Sequence, residues 1–236
     1  TTVGISDIPY GEPSVLEAIV DGGKPIAVTE VGWSTAPLGP LNGSTREAIT
    51  ELTQAKFALR QQIQDFALGM DCAVYFLLRE RHVNAPYPAG HIENEFGILH
   101  VDNTPKPAYT ALQTLYSQLD SRSRRNPLVS VRFSRPGVKW YVFDDRSSSI
   151  PVRSVAYWLP VPARDDFPVE RTDAVIGGVA VRGLWLSDAP RILRLHRIGS
   201  AWGYPALIDL LGQSVDLDVD WAPAGCAPGR GSKGNH

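Results

Sequence analysis

Glu30 is the residue on which a reaction could be built. It closes the apolar run at residues 26–29 within the stretch "GKPIAVTEVGWST", and Gly32 breaks the pattern just before Trp33. A carboxylate at the end of a buried strand is costly unless it is paired, solvated or used. Two readings follow: a side chain that reaches solvent where the strand emerges, or a catalytic carboxylate at the mouth of a barrel. The other familiar signatures are missing. There is no G-x-S-x-G elbow and no H-E-x-x-H pair. "DGGKP" lacks phosphate-loop spacing, and the histidines have no metal-ligand spacing. No metal or cofactor is therefore expected. Cys72 and Cys226 lie too far apart in the chain to suggest a disulfide framework or a zinc site.

The elements that would position Glu30 follow from the pattern of apolar residues. Up to about residue 121, short apolar strands alternate with helical stripes. A strand remnant is expected at 3–6. A helix is expected between Pro13 and Gly22, with Val15, Leu16, Ile19 and Val20 on one side. The Glu30 strand comes next. A long helix follows, with Ser44 and Glu47 spaced as a capping box and Ile49, Leu52, Leu59, Ile63, Phe66 and Met70 on one face. "CAVYFLL" at 72–78 reads as a strand buried on both faces. A long loop then leads to a last helix, "KPAYTALQTLYSQL", with Ala108, Leu112, Leu115 and Leu119 on one side. Alternating strands and helices argue for parallel βα units.

From 126 to 221 the pattern changes to short strands with turn signals, the mark of an antiparallel β-sandwich. Val129, Val131 and Phe133, then Val138, Trp140 and Val142, alternate on either side of "SRPG" and predict a hairpin. Further strands are expected near 152–159, 179–186, 191–196 and 215–219. Residues 222–236 form a Gly/Pro-rich tail without core-forming side chains. Of the six tryptophans, five fall in this second half. At strand spacing they suit a core better than a carbohydrate platform.

Two stretches carry a resemblance. "KPIAVTEVGWST" resembles the seventh-strand motif of clan A glycoside hydrolases, a superfamily of retaining (β/α)8-barrel enzymes. "YFLLRERHVNAPYPAGHIENEFGILHVDNTPKPAY" is similar to the eighth strand and following loop of the same enzymes, through Arg79-Glu80, Glu93, Phe96-Gly97 and residues 106–109. The resemblance implies the last three βα units of a TIM barrel over residues 1–121, an appended β-sandwich over 126–221, and an N-terminal barrel segment missing from this sequence. It also implies that Glu30 is the catalytic nucleophile. The clan's acid/base, a glutamate after Asn at the end of the fourth strand, lies in a strand the sequence does not contain. Where many members carry a tryptophan at the end of the eighth strand, this chain has Phe76-Leu77-Leu78.

The expected substrate-binding residues are Tyr10, as a donor to the nucleophile; Trp33, as a sugar-stacking ring or a loop anchor; and Arg79 and Glu93, on the loop beside the mouth. Arg79 has an alternative use in an ion pair with Glu80 or Glu93. His82, Tyr87, His91 and Asn94 share that loop. The expected function is part of a retaining hydrolase of β-linked oligo- or polysaccharides, with carbohydrate as the only partner. The alternative is a non-catalytic carbohydrate-binding or structural module. A net charge of -2, with no long block of like charge, excludes a phosphate-tracking nucleic-acid surface. No apolar run reaches the ~18 residues of a membrane span.

Overall fold

The computed structural model describes residues 27–36, 49–81, 87, 90–145, 150–212 and 221–222. Two parallel strands, β1 (Ala27–Val31) and β2 (Cys72–Tyr75), pair with each other. Between them in the chain runs α1 (Glu51–Leu68), and after them α2 (Pro107–Gln118). Nine further strands follow: β3 (Ser123–Arg125), β4 (Val131–Phe133), β5 (Lys139–Asp145), β6 (Val152–Trp158), β7 (Glu170–Ile176), β8 (Val179–Leu186), β9 (Arg191–Ile198), β10 (Ala201–Asp209) and β11 (Trp221–Ala222). They form a five-stranded sheet in the order β10-β9-β6-β5-β3 and a four-stranded sheet in the order β11-β8-β7-β4. Every pairing within these two sheets is antiparallel.

The five-stranded sheet is the middle layer, and β6 shows why its sequence is apolar at successive positions. Side chains alternate between faces along a strand. Val155 and Tyr157 pack toward the four-stranded sheet, with Ile176, Val181, Leu184 and Leu193. Ala156 and Trp158 pack on the other side with Leu59, Ile63, Leu112 and Leu115 of the two helices. Full burial of each of these aliphatic side chains contributes about 1.5–3 kcal/mol.

Helix α1 starts where Thr50 accepts from the Thr53 amide at 3.0 Å, and it ends at Gly69, whose φ of 74° suits a left-handed C-cap. The expected capping pair, Ser44 and Glu47, lies outside the described residues. Helix α2 begins with Pro107 at its first turn, and Ala108, Ala111, Leu112 and Leu115 are buried. Neither helix is long and apolar enough to cross a membrane.

The expected partial (β/α)8 barrel of three βα units is corrected by this arrangement. The described residues hold two helices and two parallel strands, and most of the structure is antiparallel sheet. The first expected unit, residues 3–22, lies outside the described residues. The physical reason lies in α1. A barrel helix keeps one face in water, but here Gln54, Lys56, Arg60, Gln61, Gln64 and Asp65 are buried along with the apolar stripe. For Lys56, Arg60 and Gln64 the partners come from the antiparallel half. Arg60 donates to the carbonyls of Asp188 (2.9 Å) and Val161 (2.8 Å), and Lys139 donates to Gln64 at 2.8 Å. The helices thus pack on one face of the five-stranded sheet.

Other expectations change with it. β2 is not buried on both faces, since Cys72 is exposed and Val74 is 47% exposed. The hairpin around "SRPG" does not form: β4 pairs with β7 and β5 with β6, so the Pro136-Gly137 turn carries the chain between sheets. Strands β7 and β10 were not expected from the pattern. The expected strand at 215–219 lies outside the described residues.

Candidate active site

Glu30 is exposed near the C-terminal end of β1. The parallel register runs Val28 to Ala73 and then Val31 to Tyr75, so β1 carries one residue more than β2 across this interval. The bulge breaks the alternation: Thr29 and Glu30 are both exposed, while Val28 is buried. Bulges of this kind re-aim side chains. Just beyond, the Phe76 amide donates to the Val31 carbonyl at 2.8 Å. A Cβ on Gly32 would sit 1.8 Å from the Phe76 carbonyl oxygen, so only glycine permits this approach.

The segment after Glu30 is stitched down by residues distant in sequence. Gln54 of α1 donates to the Trp33 carbonyl at 2.7 Å. The Ser34 hydroxyl donates to the Ile92 carbonyl at 2.8 Å, and the Thr35 amide to the Glu95 carbonyl at 3.1 Å. Trp33 is 5% exposed, stacked on Phe57 at 5.8 Å and tilted against Tyr75 at 6.1 Å. Of its two expected uses, this geometry is that of the loop anchor, and the ring is not presented to a sugar.

The remaining expected residues are dispersed. Tyr10 lies outside the described residues. Arg79 is exposed and donates to the Asn103 side chain at 3.3 Å; neither Glu80 nor Glu93 pairs with it. Glu93 lies in a single 3-10 turn, Ile92–Asn94, capped by His91, whose Nδ1 accepts from the Glu93 amide at 3.2 Å. His91 stacks on Tyr87 at 4.4 Å, and Arg81 lies 5.7 Å from the ring centres of both Phe76 and Tyr87. Three tryptophans of the second half are covered. Trp158 is fully buried, Arg153 covers Trp202 and Arg171 covers Trp185.

A charged cluster that the sequence pattern does not reveal lies close by, around Lys106. The Lys106 side chain, 0% exposed, pairs with Glu80 and donates to the Thr35 hydroxyl at 3.0 Å. His100 bridges outward, with Nδ1 3.6 Å from Glu80 and Nε2 3.5 Å from Glu51. Glu95 belongs to the same charged group. Burial, then the Glu80 hydrogen bond and charge, push its pKa up against the pull of Lys106 and His100. The available signal was the spacing of Glu80, Glu95 and Lys106, each within a quoted motif but none readable as a contact. Among the described residues no group of three or more side chains could hold a metal ion.

No protein-family model matches the sequence, and no curated protein matches it.

Proposed function

We propose that the chain is part of a retaining glycoside hydrolase acting on β-linked oligo- or polysaccharides, with Glu30 as its nucleophile. The observation that carries this reading is the placement of Glu30, an exposed carboxylate turned out by a bulge at the C-terminal end of a parallel strand. The Gly32–Phe76 approach holds the strand end close to the exit of β2. The resemblance of residues 24–35 and 75–109 to clan A enzymes supports the assignment.

In this mechanism a Glu30 oxygen attacks the anomeric carbon and the glycosidic C–O bond breaks. A second carboxyl group protonates the departing oxygen. Water, deprotonated by that same second group, then attacks the glycosyl ester and releases Glu30. The two carboxyl groups must stand about 5–5.5 Å apart. The resemblance assigns the second one to a glutamate that follows an Asn at another strand end.

The test uses a polypeptide that joins this chain to a segment carrying the second carboxyl group. A 2-fluoro glycoside that traps the ester should label the peptide containing Glu30, and Glu30→Gln should lower turnover by orders of magnitude while substrate binding persists. A label on another carboxylate, or near-normal turnover by Glu30→Gln, overturns the assignment.

A further inference from the structure

Across an antiparallel sheet, residues directly opposite each other share a face, as do residues two apart along a strand. In the four-stranded sheet Arg132 pairs with Val175 and Val175 with Ala180, which sets these three in one row. Arg182 follows Ala180 by two positions and Asp173 precedes Val175 by two, so both stand beside that row. Ala174, Ile176, Val179 and Val181 fill the opposite face, against the five-stranded sheet. The outward face therefore carries Arg132, Arg182 and Asp173, all exposed, around half-buried Val175 and Ala180. These residues line a cavity of about 350 Å³. That volume falls within the range of about 300–1,000 Å³ usual for small-ligand sites.

The polar groups here differ in what they have left to offer a ligand. The register moves from Thr172–Leu184 to Ala174–Val181, so Asp173 faces both Arg182 and Gly183 in a bulge. The Gly183 amide donates to Asp173 Oδ1 at 2.9 Å and fixes the carboxylate at the cavity edge. Ser134 is engaged already: its hydroxyl accepts from the Asp173 amide at 3.0 Å and lies 3.1 Å from the Thr172 hydroxyl. Neighbouring Arg171 covers the Trp185 ring and donates to the Gly183 carbonyl. Arg132 and Arg182, by contrast, have no hydrogen bond or ion pair among the described residues. They come from the strands on either side of β7, which puts their backbones roughly 10 Å apart across the sheet.

A guanidinium fork matches a carboxylate. Asp173 can only accept, so it suits a hydroxyl donor and repels a dianion placed beside it. The floor of Val175 and Ala180 suits C–H groups. A carboxylate, hydroxyls and an apolar ring face together describe an acidic sugar. We propose that the outward face of β4, β7 and β8 binds a uronate-bearing oligosaccharide, with carboxylates on Arg132 and Arg182, a hydroxyl on Asp173 and a ring face over Val175 and Ala180. The inference does not depend on Glu30 being a nucleophile, since Glu30 belongs to a different sheet.

Titration of the intact, isotopically labelled chain with a galacturonate trimer at low salt, followed through its amide resonances, tests this. The amides around Arg132, Val175, Ala180 and Arg182 should shift and saturate. Arg132→Gln and Arg182→Gln should each weaken binding by about tenfold or more, the scale of a lost charge-assisted hydrogen bond. Arg182→Lys keeps the charge and should lose less than Arg182→Gln. The trimer with methyl-esterified carboxyl groups should bind no better to the wild type than the free acid binds to the glutamine variants. No saturable shift, shifts confined to other strands, or equal binding of the methyl ester or of inorganic phosphate overturns the site. The shift map is read on the wild-type chain, so it decides the matter even if a variant does not fold. Saturable shifts at this face uphold the site even if Glu30 takes no 2-fluoro glycoside label, so the two readings fail separately.

Discussion

The Lys56 ammonium lies 2.9 Å from Asp188, a buried ion pair between residues 132 apart in the sequence. It joins the helical layer to the antiparallel sheets. Asp188 also accepts from the Arg164 amide at 2.8 Å, and the Lys56 ammonium donates to the Arg164 carbonyl. Asp188→Ala leaves the ammonium buried without its counter-charge, at an expected cost of about 3–5 kcal/mol. Lys56→Met with Asp188→Leu should recover most of that loss. The core around Trp158 is shared by both halves. Urea unfolding followed by far-ultraviolet circular dichroism and by tryptophan fluorescence should therefore give coincident curves. Two separated transitions would show that the halves unfold independently.

Gly32→Ala tests the strand exit. The new methyl group would meet the Phe76 carbonyl, which is backbone and cannot rotate away. The expected destabilisation is about 1–3 kcal/mol or more, with a change in near-ultraviolet dichroism as Trp33 shifts. A variant that melts like the wild type would show that the approach is looser than described.

Trp33 and Glu30, three residues apart, should respond in opposite ways. Trp33→Ala empties a site beside Phe57 and Tyr75 and should cost about 3–5 kcal/mol. Glu30→Gln changes an exposed side chain and should leave stability within about 0.5 kcal/mol. Denaturant midpoints for the two variants check both, and an unfolded Glu30→Gln would make its loss of turnover uninformative.

Alkaline stability should be limited by two phenols. Burial raises the pKa of Tyr75 and Tyr157, and Tyr157 also donates to the Trp185 carbonyl at 3.0 Å. A raised folded value means that their contribution is complete below the ordinary tyrosine value near 10 and is lost as pH rises beyond it. Ultraviolet titration should show two tyrosines ionising only together with unfolding, and Tyr157→Phe should move the unfolding midpoint to higher pH. Smooth titration of every tyrosine in folded protein would contradict the burial.

The β1–β2 sheet exposes Cys72 and Val74, and among the described residues no other strand pairs with either of its edges. Such edges template association. Light scattering should find concentration-dependent oligomers under reducing conditions, with the monomer share raised by Val74→Lys. Equal monomer shares in both proteins would remove this surface as the cause.

Much of the local structure is legible in the sequence. Pro107 and the spacing of Ala108, Leu112 and Leu115 mark α2. The stripe through Leu59 and Ile63 marks α1, and the apolar runs mark β6, β8 and β9, because the period of burial is a property of each segment alone. Strand β7 was hidden by Glu170, Arg171 and Asp173, which face outward while Thr172, Ala174 and Ile176 supply the buried face. Such a mixed stretch looks the same as a loop.

Tertiary structure alone decided which surfaces meet. The sequence determined that Val129–Phe133 and Val138–Val142 alternate; only packing determined that they belong to different sheets. It determined that α1 has an apolar stripe. That Lys56, Arg60 and Gln64 are buried too depends on acceptors at Asp188 and Val161 and on the Lys139 ammonium, which donates to Gln64, all more than 70 residues away. The same holds for Glu80, Glu95 and Lys106, ordinary charged residues one by one. A polar side chain is encoded identically whether water or a distant carboxyl group satisfies it, and only the folded chain distinguishes the two.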